Sequence, residues 1–377
     1  FEQFSPRLLN KRLYLTVQCD KVCSSISPRI SIVLQKGKRM NSSWIVLFAG
    51  IIRLTFSQTD ENVLPGIPIV TGLFQQHVHT VYTTENGLPD CDIIHIACTP
   101  EGQIIVATSK GISILINGRW NEAPSGLCFT KSEDKLSSRE MRLLKKTAGK
   151  DICLRAVASY GEEKAAATNN GLFLWHGTKW ELALPKQGHI RWAPVDVRAV
   201  AYTPSGVLWF AAPIGVGYRK NENEWRLFST AEGLPFNDFT CMAADDNHAV
   251  WFGTSNGAIC FQNGMWTFRQ GRRWLADNVV RDIAIDSDGN AWIATSQGVS
   301  CIRNETWTLK QKATFFEEEI ERYHRRTAYG YVCPARLETP GDKSTAKPQY
   351  TDNEGHGTGL YLAAVSLGYA ATDNPNL

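Results

Sequence analysis

One short pattern recurs five times along this chain, and its register limits what the chain can fold into more than any other feature. The segments are Ala107-Thr108-Ser109-Lys110-Gly111-Ile112, Ala167-Thr168-Asn169-Asn170-Gly171-Leu172, Ala211-Ala212-Pro213-Ile214-Gly215-Val216, Gly253-Thr254-Ser255-Asn256-Gly257-Ala258 and Ala294-Thr295-Ser296-Gln297-Gly298-Val299. Their glycines lie 60, 44, 42 and 41 residues apart. Each is followed nine or ten residues later by a tryptophan: Trp120, Trp180, Trp225, Trp266 and Trp307. A repeat of this length is one supersecondary unit that buries its apolar face only by stacking on copies of itself. The first interval is long because residues 121–150 carry a polar, charged insertion.

The last unit reads as four strands. Arg281-Asp282-Ile283-Ala284-Ile285-Asp286 alternates polar and apolar, the mark of a half-buried strand. Ser287-Asp288-Gly289-Asn290 is a hairpin turn, since Asp-Gly supplies the positive φ such turns need. Ala291–Thr295 forms a second strand and Ser296-Gln297-Gly298 a second turn. Val299–Arg303 forms a third strand, Asn304-Glu305 turns again, and Thr306–Lys310 completes the set. Four antiparallel strands in some 42 residues make one propeller blade. The fold expected is therefore all-β, a β-propeller of about five four-stranded blades, with a short helical C-terminal extension. A strand at Val78–Thr83 precedes the first unit and runs into Gly87-Leu88-Pro89, the join that recurs at Gly233-Leu234-Pro235. The ring is thus expected to close by mixing strands from both ends in one blade, which removes exposed sheet edges.

Gly-Leu-Pro, an apolar strand, then Asp-x-Asp-Gly-Asn-x-Trp-Ile-Ala-Thr-x-x-Gly-Val and a closing Trp resemble the two-component regulator propeller repeat. The likeness is fullest at Asp286–Val299 and Gly233–Trp266 and covers about residues 78–311. The second unit is eroded, with Tyr160-Gly161-Glu162 in place of the Asp-Gly turn. In bacteria such repeats form extracellular sensor regions of signalling receptors, so the resemblance implies ligand recognition outside the cell. It does not imply phosphorelay, as the chain carries no kinase or receiver motif.

Met40 opens Met40-Asn41-Ser42-Ser43, followed by the apolar run Trp44–Ile52 and by Thr55-Phe56-Ser57, with small residues where a signal peptidase reads. Residues 40–57 are therefore expected to be a signal peptide, with residues 1–39 outside the mature protein. The run is too short for a spanning helix, which needs roughly 20 apolar residues. The formal charge of +3 comes from the N-terminus: residues 1–39 hold eight Lys/Arg and two acids, and residues 40–57 hold only Arg53. The remainder has 31 basic and 35 acidic residues, so nothing favours nucleic acid or an anionic membrane surface. Ten cysteines become eight without Cys19 and Cys23, an even number that suits an oxidising compartment. Cys128 and Cys153 flank the insertion and are the favoured disulfide. Cys98, Cys241, Cys260 and Cys301 read as small buried hydrophobes in strands. The sequon Asn304-Glu305-Thr306 falls in the expected turn and would carry a glycan on a secreted chain.

Beyond Lys312 the pattern changes, so residues 74–311 are assigned to the propeller and 312–377 to the extension. Thr314 and Glu317 have capping-box spacing, and Glu318/Arg322 and Glu321/Arg325 are i,i+4 pairs, which predicts a helix over about 313–326. A polar glycine-rich stretch, Tyr350–Gly359, feeds an alanine-rich helix over about Leu360–Thr372. This tail is similar to the opening of an all-helical toroid of some polysaccharide-degrading enzymes. That likeness places Asp342, Asp352 and His356 as candidate ligand residues, carboxylates and histidine being the usual acid–base groups of glycan chemistry. The residues beside the Gly-Leu-Pro joins, Asp92, Asn237 and Asp238, are expected to face one mouth of the central channel and to contact ligand. His77 and His79 share one strand face, but no third ligand stands at metal spacing, so both are read as structural. The regular tryptophans are read as packing between blades.

No Ser-His-Asp set, phosphate loop, zinc spacing or dinucleotide fingerprint is present, and no cofactor or catalytic residue is assigned. The function expected is a secreted recognition module that binds an extracellular glycan or protein through one propeller face. The alternative is the N-terminal accessory part of a secreted polysaccharide-acting hydrolase or lyase whose helical catalytic domain lies mostly beyond Leu377. Neither reading involves membrane insertion beyond the signal peptide.

Overall fold

The computed structural model describes residues 8–9, 12–15 and 32–34, and residues 72–372 apart from 128, 130–135, 222–223 and 246–248. Two compact units are separated near Pro68. In the first, β1 (Leu8–Leu9), β2 (Arg12–Leu15) and β3 (Ile32–Leu34) form an antiparallel sheet. The expected signal-peptide segment 40–57 lies outside the described residues.

The second unit carries five four-stranded antiparallel sheets. It opens with β4 (Phe74–Tyr82). Blade 1 is β5 (Ile93–Cys98), β6 (Ile104–Thr108), β7 (Gly111–Ile116) and β8 (Arg119–Glu122). After α1 (Ser138–Ala148), blade 2 is β9 (Leu154–Tyr160), β10 (Glu163–Thr168), β11 (Gly171–Trp175) and β12 (Trp180–Leu182). A hairpin, β13 (Lys186–Gln187) and β14 (Ile190–Arg191), leads to blade 3: β15 (Ala199–Tyr202), β16 (Leu208–Ala212), β17 (Gly215–Asn221) and β18 (Glu224–Phe228). Blade 4 is β19 (Phe239–Ala244), β20 (Val250–Thr254), β21 (Gly257–Gln262) and β22 (Met265–Arg269). Blade 5 joins β23 (Val280–Ile285), β24 (Ala291–Thr295) and β25 (Gly298–Trp307) to β4 from the other end of the unit.

The repeated Thr-x-x-Gly has a definite job at the hairpin between second and third strands in blades 1, 2, 4 and 5; blade 3 has Ala212 in place of the threonine. Thr108, Thr168, Thr254 and Thr295 donate from Oγ1 to the carbonyl of the glycine three residues on, and accept from the intervening backbone N–H. The glycines need positive φ and closeness: a Cβ on Gly298 (φ +135°) would lie 2.4 Å from the Tyr82 carbonyl oxygen. The Gly-Leu-Pro joins also repeat as structure. Thr83 and Ser229 each cap a 3-10 turn with a reciprocal capping box, ended by left-handed Gly87 and Gly233, and Leu88 and Leu234 are buried beneath.

Four seams between blades are apolar. Ala165 and Leu172 meet Leu208 and Phe210 between blades 2 and 3. Trp209 meets Val250 and Phe252 between blades 3 and 4. Trp251 meets Ala291 and Ile293 between blades 4 and 5. Trp292 meets Ile104 and Val106 between blades 5 and 1. Between blades 1 and 2 the described residues form no shared cluster; α1 packs Leu144 onto Val157, Ala166, Phe173 and Trp180 of blade 2. α1 thus covers the face that blade 2 turns away from blade 3.

Five expectations change. The fourth strand of blade 5 is β4, not Thr306–Lys310: β4 pairs with β25 from Phe74↔Trp307 to Tyr82↔Val299. With a partner along its whole length β25 needs no turn, so Asn304 sits in strand opposite His77, exposed, and not at a turn. Trp307 is not a fifth closing tryptophan. Leu115↔Trp120, Trp175↔Trp180, Arg219↔Trp225 and Phe261↔Trp266 share one register, and there blade 5 has Ile302↔His79. Trp307 instead packs on Phe315 of the tail, 5.1 Å between ring centres. The first tail helix, α2 (Leu309–Tyr323), begins earlier than Thr314 because Thr308 and Gln311 already form a capping box; the Glu321–Arg325 pair stands. β26 (Ala335–Leu337) and β27 (Ala346–Pro348) form a hairpin, and α3 (Glu354–Thr372) begins six residues ahead of Leu360.

Candidate functional site

The inner strands β5, β9, β19 and β23 begin at one end of the ring with buried Ile93, Phe239 and Val280 and the half-buried Leu154, and buried Val197 stands two residues ahead of β15. In blades 1, 2, 4 and 5 the register shifts at the very next residue, leaving Ile94, Arg155, Thr240 and Arg281 without a cross-strand partner. Arg198 holds the matching place in blade 3, where its N–H donates to the Ala211 carbonyl. Such bulges re-aim a side chain out of the ladder. One repeat position therefore places three arginines at this mouth.

The residue before each buried position makes a second ring: Asp92, Cys153, Asp196, Asp238 and Val279. Arg281 Nη1 is 2.6 Å from Asp92 Oδ1 and also donates to the Ile93 carbonyl at 3.2 Å. Asp196 takes Arg155 Nη2 at 3.2 Å on one oxygen and Arg198 Nη2 at 2.6 Å on the other. It does so with φ +55°, a left-handed backbone that aspartate tolerates better than most residues. Arg198 Nε is buried with no hydrogen-bond partner. Deeper in, His95 Nδ1 lies 3.3 Å from Asp282 Oδ2, a hydrogen bond that raises the imidazole pKa.

Two of the expected residues, Asp92 and Asp238, stand in this ring. Asp238 is held by its own blade: Oδ2 accepts from Ser255 Oγ at 2.6 Å, as Asp277 Oδ2 accepts from Ser296 Oγ at 2.7 Å. Asn237 Nδ2 donates to the Pro213 carbonyl at 2.7 Å, tying blade 4 to blade 3. Asp196 and the arginines were missed by sequence reading, yet the signal was present. Aligning the units on the first buried residue of each inner strand, not on the glycine, puts them in one column.

Asp342 reaches the same face. Gly341 packs so closely on Arg272, in the join from blade 4 to blade 5, that a Cβ would lie 2.1 Å from the Arg272 Cβ. A cavity of about 590 Å³ forms there between the joins and the tail, lined by His79, Glu85, Cys91, Arg272, Gln297 and Asp342. Asp342 caps the Lys343–Thr345 turn, and hydrogen bonds from Ser344 hold its carboxyl pKa below the ordinary value. Asp352 lies exposed in the turn before α3 and His356 exposed in its first turn. No hydrogen bond or ion pair among the described residues links either to Asp342.

His77 and His79 do share a face, and it is turned into the seam with blade 4. His77 lies 5.8 Å from Trp251 and His79 5.6 Å from Trp274, ring centre to ring centre. Arg269 donates to His77 Nδ1 at 2.9 Å. Burial first, then Arg269, lowers the His77 pKa to about 4. Cys98, Cys241, Cys260 and Cys301 are free thiols in strands; Cys260 and Cys301 are buried as expected, Cys98 and Cys241 half-buried, and burial pushes the Cys260 and Cys301 thiols up to about 12. Cys153 is exposed; its expected partner Cys128 lies outside the described residues. Among the described residues no cluster of His, Cys, Asp and Glu could hold a metal ion, and no helix is long and apolar enough to cross a membrane.

Two stretches of the joins and strands that build this mouth match a known family. Residues 233–256 and 275–297 match the two-component regulator propeller model. These stretches hold the Gly-Leu-Pro join of blade 4 and the Asp-Gly turn of blade 5. No curated protein matches the chain. Solved structures with a similar course of chain include the extracellular domain of a putative hybrid two-component system from B. thetaiotaomicron, 18% identical over 61% of this chain and 36% of that one, TM-score 0.36. They include a streptogramin B lyase, 16% identical over 61% and 98%, TM-score 0.38. PorZ, a surface component of the type-IX secretion system of Porphyromonas gingivalis, is 15% identical over 56% and 32%, TM-score 0.35. The chain spans about a third of the first structure's length.

Proposed function

We propose that this two-component regulator propeller is a secreted recognition module that binds a glycan or a protein through the mouth where its inner strands begin. The observation that carries the reading is the column of Arg155, Arg198 and Arg281 at one bulged register, with Asp92 and Asp196 beside them. Their side chains remain 30–49% exposed. Alternating guanidinium and carboxylate groups on rigid strands offer paired donors and acceptors to hydroxyl or peptide groups. The cavity at Asp342 adjoins the same face. Secretion rests on the Met40–Ser57 pattern, and the exposed Asn304 would carry a glycan. The test is a glycan array and a surface-protein pull-down with the secreted chain. Arg198→Gln and Arg281→Gln are expected to remove the hits together without changing the unfolding midpoint. Hits that survive both variants would place the ligand elsewhere.

A second reading, an accessory domain of a polysaccharide-acting enzyme, is favoured by α3. Leu360, Leu362 and Leu367 are each more than 60% exposed. A helix apolar on several faces is one that other helices cover. Sequencing the native transcript through its 3′ end tests this: alternating helix pairs beyond Leu377 support it, and a stop codon there removes it.

A further inference from the structure

The seam between blades 2 and 3 breaks the repeat at two facing positions. The residue six before the hairpin glycine, on each blade's second strand, points at the next blade. In three seams it is a tryptophan, Trp209, Trp251 or Trp292, which fills the space. In the seam between blades 2 and 3 it is Ala165. The fifth residue of each third strand points the other way. It is Leu115, Trp175, Phe261 and Ile302 in four blades, and Arg219 in blade 3. The missing indole and the intruding guanidinium meet in one place. Departures from an otherwise consistent repeat are where function is expected.

Arg219 lines a cavity of about 610 Å³ at this seam, within the range of about 300–1000 Å³ of small-ligand sites. It lies toward the ends of the inner strands, away from the mouth, since Tyr202 closes β15 and Glu163 opens β10. Arg219, its side chain 16% exposed, pairs with Glu163. That is one of its five donors, and among the described residues the others have no acceptor. Tyr202 Oη lies 3.4 Å from Glu163. Trp225 and Tyr202 give ring surface to the wall. Lys164, Lys186, Arg191 and Arg219 line the cavity against Glu163 and Glu181, an excess of two positive charges. Lys164 is matched by Glu140 and Glu181 by Lys179, which leaves that excess unchanged.

We infer that this cavity binds a carboxylated sugar of one or two rings, its carboxylate on Arg219 and its ring against Tyr202 and Trp225. Arginine takes a carboxylate with two parallel hydrogen bonds, a geometry lysine does not reproduce. Glu163 and the Tyr202 hydroxyl are placed for sugar hydroxyls. Lys186 and Arg191, opposite each other in the β13–β14 hairpin, supply the remaining positive charge at the rim.

The test is calorimetric titration of the secreted full chain with glucuronate, galacturonate and mannuronate, with glucose as the uncharged control. Saturable binding of at least one hexuronate is expected, with glucose about tenfold weaker or worse. Ala165→Trp restores the residue of the other seams and is expected to abolish binding while the β-sheet circular dichroism is kept. Arg219→Lys is expected to weaken binding about tenfold, and it decides the matter alone if Ala165→Trp does not fold. Loss of hexuronate binding in Arg198→Gln would place the sugar at the mouth and overturn the inference. Absence of saturable binding for all three hexuronates, equal affinity for glucose, or full binding by a folded Ala165→Trp or by Arg219→Lys would overturn the inference.

Discussion

At the scale of the residue, the repeat is held by groups whose freedom is already used. Gly298→Ala puts a Cβ 2.4 Å from the Tyr82 carbonyl at φ +135°, on the strand that closes the ring. A loss of about 1–3 kcal/mol is expected from the strained backbone alone, read by urea unfolding. His77 makes stability depend on pH. Its pKa falls from 6.5 to about 4 in the fold, so the unfolded chain takes up a proton that the folded chain refuses. Stability is complete above about pH 6.5, falls as pH drops from there to about 4, and levels off below. Unfolding midpoints between pH 7 and 4 should show this slope, and His77→Gln, which keeps an acceptor for Arg269, should reduce it. The reason His77 and His79 are structural was only half legible in sequence. Their spacing showed one face. That His79 occupies a closing-tryptophan position could not be seen until β4 was known to pair with β25.

At the scale of the element, four blades were legible because the hairpin glycine and the closing tryptophan recur in each at nearly constant spacing, with Thr-x-x-Gly in all of them but blade 3. The fifth went wrong at Asn304, where strand length is set by a partner from the distant N-terminus and not by a local turn. The mouth was legible by half for a similar reason. Asp92 and Asp238 were found beside Gly-Leu-Pro joins, whereas Asp196 follows a hairpin with no such join, and no local signal marks it. The insertion was read only as polar; its buried stripe is short, resting on Leu144 with Met141 and Leu143 partly buried. Leu144, fully buried, is the contact by which α1 covers blade 2. Leu144→Ala is expected to cost about 2–5 kcal/mol, since it opens a cavity under a helix with no other anchor of that size. Denaturant unfolding checks the size of the loss. Hydrogen exchange should show blade 2 losing protection ahead of blades 3 and 4.

At the scale of the whole molecule, the ring depends on β4. A chain beginning at Thr83 would leave β25 as a bare nine-residue edge, the kind of surface that recruits other strands. It is expected to elute as aggregates in size-exclusion chromatography, and a synthetic peptide of residues 74–82 added during refolding should restore the monomer. The same pairing sets an order in time. Gln75 and the Thr306 it bonds are 231 positions apart. At translation rates of about 5–20 residues per second, β4 waits roughly 10–50 s for its partner to be made. The strand that finishes the ring is the first of the ring to leave the ribosome, so the chain is most open to wrong association while it is being synthesised, and a chaperone that shields it would act on residues 74–82 before any blade exists.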